Sequence, residues 1–344
     1  MDKVAGREQL SYGADQSGLI CGYLFDHQQA GQLLHTNQVL DWLSKPQDTE
    51  NQSFLWLHFN LTHAATEKWL HEHTASPEEF YETLHQGSRS TRIEHADQHL
   101  IAVVNDVLHD FSFDPSDIAT LWLNVSRNLM ISARRKPLKS VDHLRDAVNA
   151  GEIFQSPMEL LTHLLRDQAD VLTGIVRNAI TKIDDVEDHL LADRLNKKRS
   201  NLGELRRLLV RLQRLLAPEP AALFRLLQKP PEWMAENDVH ELRQSTEEFS
   251  VVLSDMASLQ ERIKLLQEEI AAHVNEQNNR SLFVLTIVTV LALPINIITG
   301  LMGMNVGGIP WAQNEAGFWI IIAIIASITV VAAWLAFKPK DRDQ

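Results

Sequence analysis

Cysteine is almost missing from this chain: Cys21 is the only one in 344 residues. That excludes an internal disulfide framework, fits a reducing compartment and rules out a Cys-rich zinc site. The sequence also has no P-loop, no G-x-G-x-x-G, no HExxH and no G-x-S-x-G. ATP-driven pumping and the common hydrolase and dehydrogenase chemistries are thereby set aside, and the chain is not expected to be an enzyme. Proline and glycine are absent from Val239 to Leu293, so nothing local breaks a helix there. Charge is absent from residues 281–304 and again from 316–337.

Those two uncharged stretches exceed the roughly 20 residues that a helix rising about 1.5 Å per residue needs to cross a hydrocarbon core. Two C-terminal transmembrane helices are therefore expected, at 281–303 and 318–337, joined by an outer loop at 304–317. Arg280 abuts the first and Lys338, Lys340 and Arg342 follow the second, while the connection carries only Glu315. By the positive-inside rule both termini are cytoplasmic and 338–344 is a cytoplasmic tail. No apolar stretch of signal-peptide type occurs at the start. Three basic and three acidic residues lie beyond position 280, so the whole net charge of −13 belongs to the remainder. An acidic body repels nucleic acid and attracts cations, though acidic surfaces also serve solubility alone.

Residues 1–150 mix short apolar, aromatic runs with short helices. Leu19–Phe25 and Phe54–Phe59 have strand character, Thr36–Ser44 and Ala64–His73 helical character. A hairpin is expected around Asp97-Gln98 and a second strand pair around Ser126-Arg127-Asn128, giving a cytoplasmic α/β or α+β domain. Residues 151–237 form a helical segment, with an acidic cluster at Asp184, Asp185, Glu187 and Asp188 and a basic run at Arg206, Arg207, Arg211 and Arg214. Antiparallel pairing would bring these together, but each run also reads as a solvated face. Residues 238–280 form a stalk helix. Its seam is Phe249, Val252, Met256, Leu259, Ile263, Leu266 and Ile270, three and four apart.

Within the first span, Asn279, Leu282, Thr286, Thr289, Leu293, Asn296 and Gly300 share a face by the same spacing, and five of the seven are polar or glycine. Lipid penalises exposed asparagine, so this face looks at protein or water. A close helix–helix seam is one reading. An oligomer enclosing a pore is the other, and a polar face spread over about five turns exceeds what one partner helix needs. In phase below lie Asn275, Ala272, Glu268 and Leu265, so a ring of Glu268 carboxylates would draw a divalent cation into a cytoplasmic funnel. Pro294 removes a helical hydrogen bond next to Asn296. Asn305 sits where the helix ends and can accept from the water shell of a hydrated cation, so metal contact at Asn305 and Glu268 would be transient.

Gly303-Met304-Asn305 closing the penultimate span, Pro294 before it, two C-terminal spans and a long stalk together resemble the CorA family of divalent-cation transport proteins. Val306-Gly307-Gly308-Ile309-Pro310 looks like its ZntB branch, which is associated with zinc. The resemblance implies an α+β cytoplasmic domain with a long stalk helix and two transmembrane helices, assembled as a CorA-like homopentamer in the cell inner membrane. It implies that Gly303, Met304 and Asn305 form the outer selectivity motif and that Asn279, Leu282, Thr286, Thr289 and Asn296 line the pore. It implies Zn2+ as cargo, H+ as coupling ion for uptake, and no resident cofactor. A Mg2+/Co2+ channel of the CorA type is the alternative within the family; a membrane-anchored cytoplasmic sensor or scaffold is the alternative outside it. Of 15 histidines, 11 lie within positions 27–143 at no zinc-site spacing, and His273 on the stalk is the one placed to sense protons or metal near the axis.

Overall fold

The computed structural model describes residues 14–26, 29–45, 53–85, 91–191, 199–304, 307, 310 and 315–337. It divides into two units, residues 1–265 and 266–344.

The first unit is built on a seven-stranded sheet of β1 (Leu19–Phe25), β2 (Gln32–Leu34), β3 (Phe54–Asn60), β4 (Arg92–Ala96), β5 (His99–Val107), β6 (Ile118–Val125) and β7 (Leu129–Arg134). Their order is β2-β1-β3-β7-β6-β5-β4. Neighbours are antiparallel except β3 and β7, which run parallel with Leu55 opposite Leu129. The expected hairpin is β4–β5, and Asp97 in its two-residue turn takes φ 50°, as tight hairpins require. The interior strand β3, FLWLHFN, is buried on both sides. Phe54 and Trp56 join one apolar cluster, and Leu55, Leu57 and Phe59 the other. Such a strand demands cover on both faces.

The cover comes from two sets of helices. On one face lie α1 (Thr36–Ser44), α2 (Thr66–His73) and α3 (Glu78–His85), which bring Val39, Trp69, Leu70, Phe80 and Leu84 to the core. On the other face α4 (Lys139–Asn149), α5 (Pro157–Leu191) and α7 (Pro218–Gln228) contribute Leu144, Leu161, Leu165, Leu223 and Leu227. That cluster runs without interruption from Cys21 to Leu242, so the sheet and the helices after position 150 share one core. The helix α6 (Arg199–Leu216) starts before Gly203 and runs through it, and α7 opens at the Pro218-Glu219-Pro220 punctuation.

A single helix, α8, then runs from Glu236 to Met302 over 67 residues, with Pro294 inside it. Along its seam Phe249, Met256, Leu259, Ile263, Leu266 and Ile270 are buried, and Leu253 rather than Val252 fills the second position. The acidic cluster on α5 finds its partner here: Arg262 of α8 binds Asp184 and Glu187. A final helix, α9, spans Gly317–Phe337.

Candidate functional site

Among the described residues two helices are long and apolar enough to cross a membrane, α8 through its C-terminal part and Gly317–Trp334 of α9. Each has one half-buried face. On α8 it comprises Ile287, Leu291, Ile295, Ile298 and Met302; on α9, Ile321, Ile325, Thr329 and Ala332. All seven residues of the polar stripe, Asn279, Leu282, Thr286, Thr289, Leu293, Asn296 and Gly300, are exposed. At 3.6 residues per turn the stripe lies about half a turn from the half-buried face of the same helix. Leu265, Glu268, Ala272 and Asn275, in phase below, are exposed too.

The threonines of the stripe are oriented by their own helix. Thr286 Oγ1 donates to the Leu282 carbonyl at 2.8 Å, and Thr289 Oγ1 to the Leu285 carbonyl at 2.9 Å. A hydroxyl that has spent its hydrogen on the preceding turn presents only lone pairs outward. These oxygens can therefore receive a cation, or the hydrogens of its water shell, but cannot repel it with a proton. One turn on, Pro294 brings no N–H to the carbonyl of Val290, leaving another acceptor without its helical donor. Uncharged acceptors on a charge-free stretch of helix suit a positive ion that is bound weakly enough to leave again.

At the top, the Gly303 N–H bonds the Thr299 carbonyl at 2.9 Å and closes the last turn. A Cβ on Gly303 would come within 3.2 Å of that carbonyl, whereas one on Gly300 would meet nothing within 4 Å of its own chain. Gly303 thus serves the helix end, while the small size of Gly300 is required by no contact among the described residues. Met304 and Glu315 are exposed, and Asn305 lies outside the described residues. Gln277 Nε2 lies 2.9 Å from His273 Nε2, which holds that ring on the helix surface.

Two histidines of the first unit have structural partners: His71 stacks on Tyr81 at 3.5 Å between centroids, and His99 Nδ1 lies 2.9 Å from Asn124 Oδ1. Among the described residues no three His, Cys, Asp or Glu side chains gather where they could share a metal ion. Sequence reasoning passed over the Arg262 clamp. Its signal was present as a pair of carboxylates three residues apart on one helix, Asp184 and Glu187.

The model of the family described as CorA-like Mg2+ transporter protein matches residues 51–338. The chain is 29% identical over 334 residues to the divalent cation transporter CmaX of Pseudomonas aeruginosa, covering 95% of this chain and 98% of that one. It is 24% identical over 279 residues to the zinc transport protein ZntB of Yersinia enterocolitica, covering 81% and 85%. Among solved structures, full-length CmaX superposes with a TM-score of 0.80 at 27% identity, over 94% of this chain and 98% of that chain. The CorA magnesium transporter from Methanocaldococcus jannaschii superposes with a TM-score of 0.72 at 19% identity, over 93% and 98%, a likeness of fold.

Proposed function

The chain belongs to the CorA-like Mg2+ transporter family, a family of divalent cation transporters, and from that premise we propose that it carries Zn2+ into the cytoplasm through a homopentameric pore lined by α8. The observation that carries this reading is the polar stripe, exposed along its whole length on the side of α8 away from the half-buried face. Five copies meeting along that face would cover Asn279, Thr286, Thr289 and Asn296 with one another and with water, which removes their cost in lipid. Gly300 would let the helices approach closely near the outer end. Leu282 and Leu293 would make the two apolar constrictions of the path.

In this assembly Gly303, Met304 and Asn305 form the outer selectivity ring. Glu268 and Asn275 ring the cytoplasmic funnel, with Glu315 at the outer loop. Metal contacts at Asn305 and Glu268 are passing ones, since a pore must bind weakly enough to release. The charge distribution of the sequence supports an inner-membrane setting with both termini cytoplasmic. Without a nucleotide motif, the driving force is an ion gradient or the membrane potential, and an inward proton gradient is the one we assign. The ZntB likeness and the Gly307-Gly308-Ile309-Pro310 sequence support zinc. The likeness to CmaX favours a second reading, a pore open to several divalent cations.

Purified protein in proteoliposomes tests these points together. Radioactive zinc uptake should be strong for the wild type and lost in Asn305→Ala, with both running as pentamers on size exclusion. Unchanged uptake in N305A would sink the pore assignment. Uptake that rises with an inward proton gradient supports coupling, and indifference to that gradient would make the protein a passive channel. Competition by Mg2+, Co2+, Ni2+ and Cd2+ separates the zinc reading from the broader one.

A further inference from the structure

Beneath α7 lies a buried polar cluster that the transport pathway does not use. Glu219 is 0% exposed and Gln168 2%. The Gln168 amide nitrogen donates to the Asn105 carbonyl at 2.5 Å and reaches Glu219 Oε2 at 3.5 Å. The Asn105 carbonyl can only accept, so the amide cannot be turned round. That leaves Gln168 Oε1 and Glu219 Oε1, both buried and both without a hydrogen-bond partner among the described residues. Two stranded acceptors, one on each of two side chains already in contact through Gln168 Nε2 and Glu219 Oε2, are what an acid–amide pair leaves when its one hydrogen is left out. In that pairing the amide N–H donates to one carboxyl oxygen, and the acid O–H donates back to the amide oxygen.

We propose that Glu219 is a proton-binding site of the soluble unit, neutral at physiological pH, with its proton on Oε1 bridging to Gln168 Oε1. One hydrogen then satisfies both stranded atoms. Among the described residues, the long Gln168 N–H contact is what favours the ionised form. Two of the first three residues of α7 are prolines, so that turn has few N–H groups to give an anion. The nearby charge is another buried carboxyl, Asp106 of β5, whose oxygens are taken by Val107 N, Ser140 N and Ser140 Oγ. Elsewhere around the site, Arg92 and Glu94 of β4 pair with each other at 2.7 Å, and Asp167 of α5 pairs with His163 at 3.0 Å. Arg211 and Arg214 of α6 are exposed. Burial first, then Asp106, pushes the Glu219 carboxyl well above the ordinary range, with the Gln168 amide opposing.

The linkage has a definite sign. The folded protein keeps a proton that the unfolded chain releases above the ordinary carboxylate pKa of 4.5, so this site makes stability fall as pH rises. Glu219→Gln keeps the shape and replaces the O–H by an N–H donor, mimicking the protonated state. In full-length protein in detergent, the wild type should show an infrared carboxylic-acid C=O band at neutral pH that E219Q lacks. On going from neutral to alkaline pH, E219Q should lose less thermal stability than the wild type. Gln168→Leu removes the acceptor and should shift the acid band without abolishing it. Identical infrared spectra and pH slopes for wild type and E219Q would overturn the proposal, as would an unshifted band in Q168L. Stability that follows added Mg2+ or chelator instead of pH would mean that a cation fills the site, and would overturn it equally.

Discussion

Arg262 holds Glu187 through two N–H···O bonds, Nε to Oε1 at 2.9 Å and Nη2 to Oε2 at 2.5 Å, and the same Nη2 reaches Asp184 Oδ1 at 2.7 Å. This fork ties α8 to α5 within the soluble unit. The pair is about a third exposed on both sides, so solvent screens it and its worth is about 0.5–1 kcal/mol. Arg262→Ala should therefore lower the midpoint of thermal unfolding by only about 1–4 °C. Lysine keeps the charge but loses the fork, so Arg262→Lys should fall close to R262A, and the deficit of both should shrink in high salt. Equal midpoints for R262K and wild type would show that charge alone matters here.

Thr286 makes a sharper test of the ion path, because its hydroxyl hydrogen is committed to Leu282 and only its lone pairs face outward. Thr286→Val keeps the shape and removes the oxygen. A hydrogen bond to a charged group contributes about 1.5–3 kcal/mol, so its loss at the barrier should slow zinc flux roughly ten- to a hundredfold. Thr286→Ser, which keeps the oxygen, should stay near wild type. Flux in proteoliposomes decides it: equal rates for T286V and T286S would place Thr286 off the path.

Inside the sheet, β3 and β7 bring His58 opposite Ser132, and the hydrogens can be assigned. Arg134 Nε donates to His58 Nε2 at 2.8 Å, so Nδ1 carries the ring proton and donates to Ser132 Oγ, also at 2.8 Å. Trp56 Nε1 donates to the same oxygen at 2.8 Å, and Ser132 passes its own hydrogen to the Leu57 carbonyl. Burial, then Arg134 and Arg145, hold the His58 ring far below the usual imidazole range, hence neutral. Ser132→Ala strands two buried donors at once and should cost about 2–4 kcal/mol. The urea midpoint should drop with the slope unchanged; a shift within error would mean that water replaces the hydroxyl.

Periodicity exposed the strands, the long helices and the polar face of α8 because each rests on a repeat that the chain spells out. β3 reads as a strand from its apolar, aromatic run, and the stripe from Asn279 to Gly300 from a three-four spacing. The sheet order was not legible, since the β3–β7 pairing joins segments separated by two helices and a meander, and no local signal encodes it. β2, α3 and α4 escaped because they are short, at 3, 8 and 11 residues. Glu219 was equally silent: between two prolines it looks like a turn residue, and only the packing of α7 over β5 and α5 makes it a buried acid. The exposure of Gly300 is informative for the opposite reason. The sequence marks a small residue on the polar face, and among the described residues nothing within 4 Å requires it.

His163 on α5 offers a pH test outside the membrane. Its Nδ1 lies 3.0 Å from Asp167 Oδ2 and its Nε2 lies 3.4 Å from Glu152 Oε1. Asp167 raises the ring above the ordinary imidazole value of 6.5, against the opposing effect of burial, and Glu152 adds to the rise. For a histidine raised in this way, the folded protein binds the proton more tightly than the unfolded chain. Its stabilisation is fully present below pH 6.5 and is lost as pH rises through the higher folded value. The thermal midpoint should accordingly fall across that window, and His163→Gln should flatten this portion of the curve. Measuring both in the E219Q background removes the fall contributed by Glu219, so the histidine is read alone. A curve of unchanged slope in H163Q would show that the ring stays neutral between its two carboxylates.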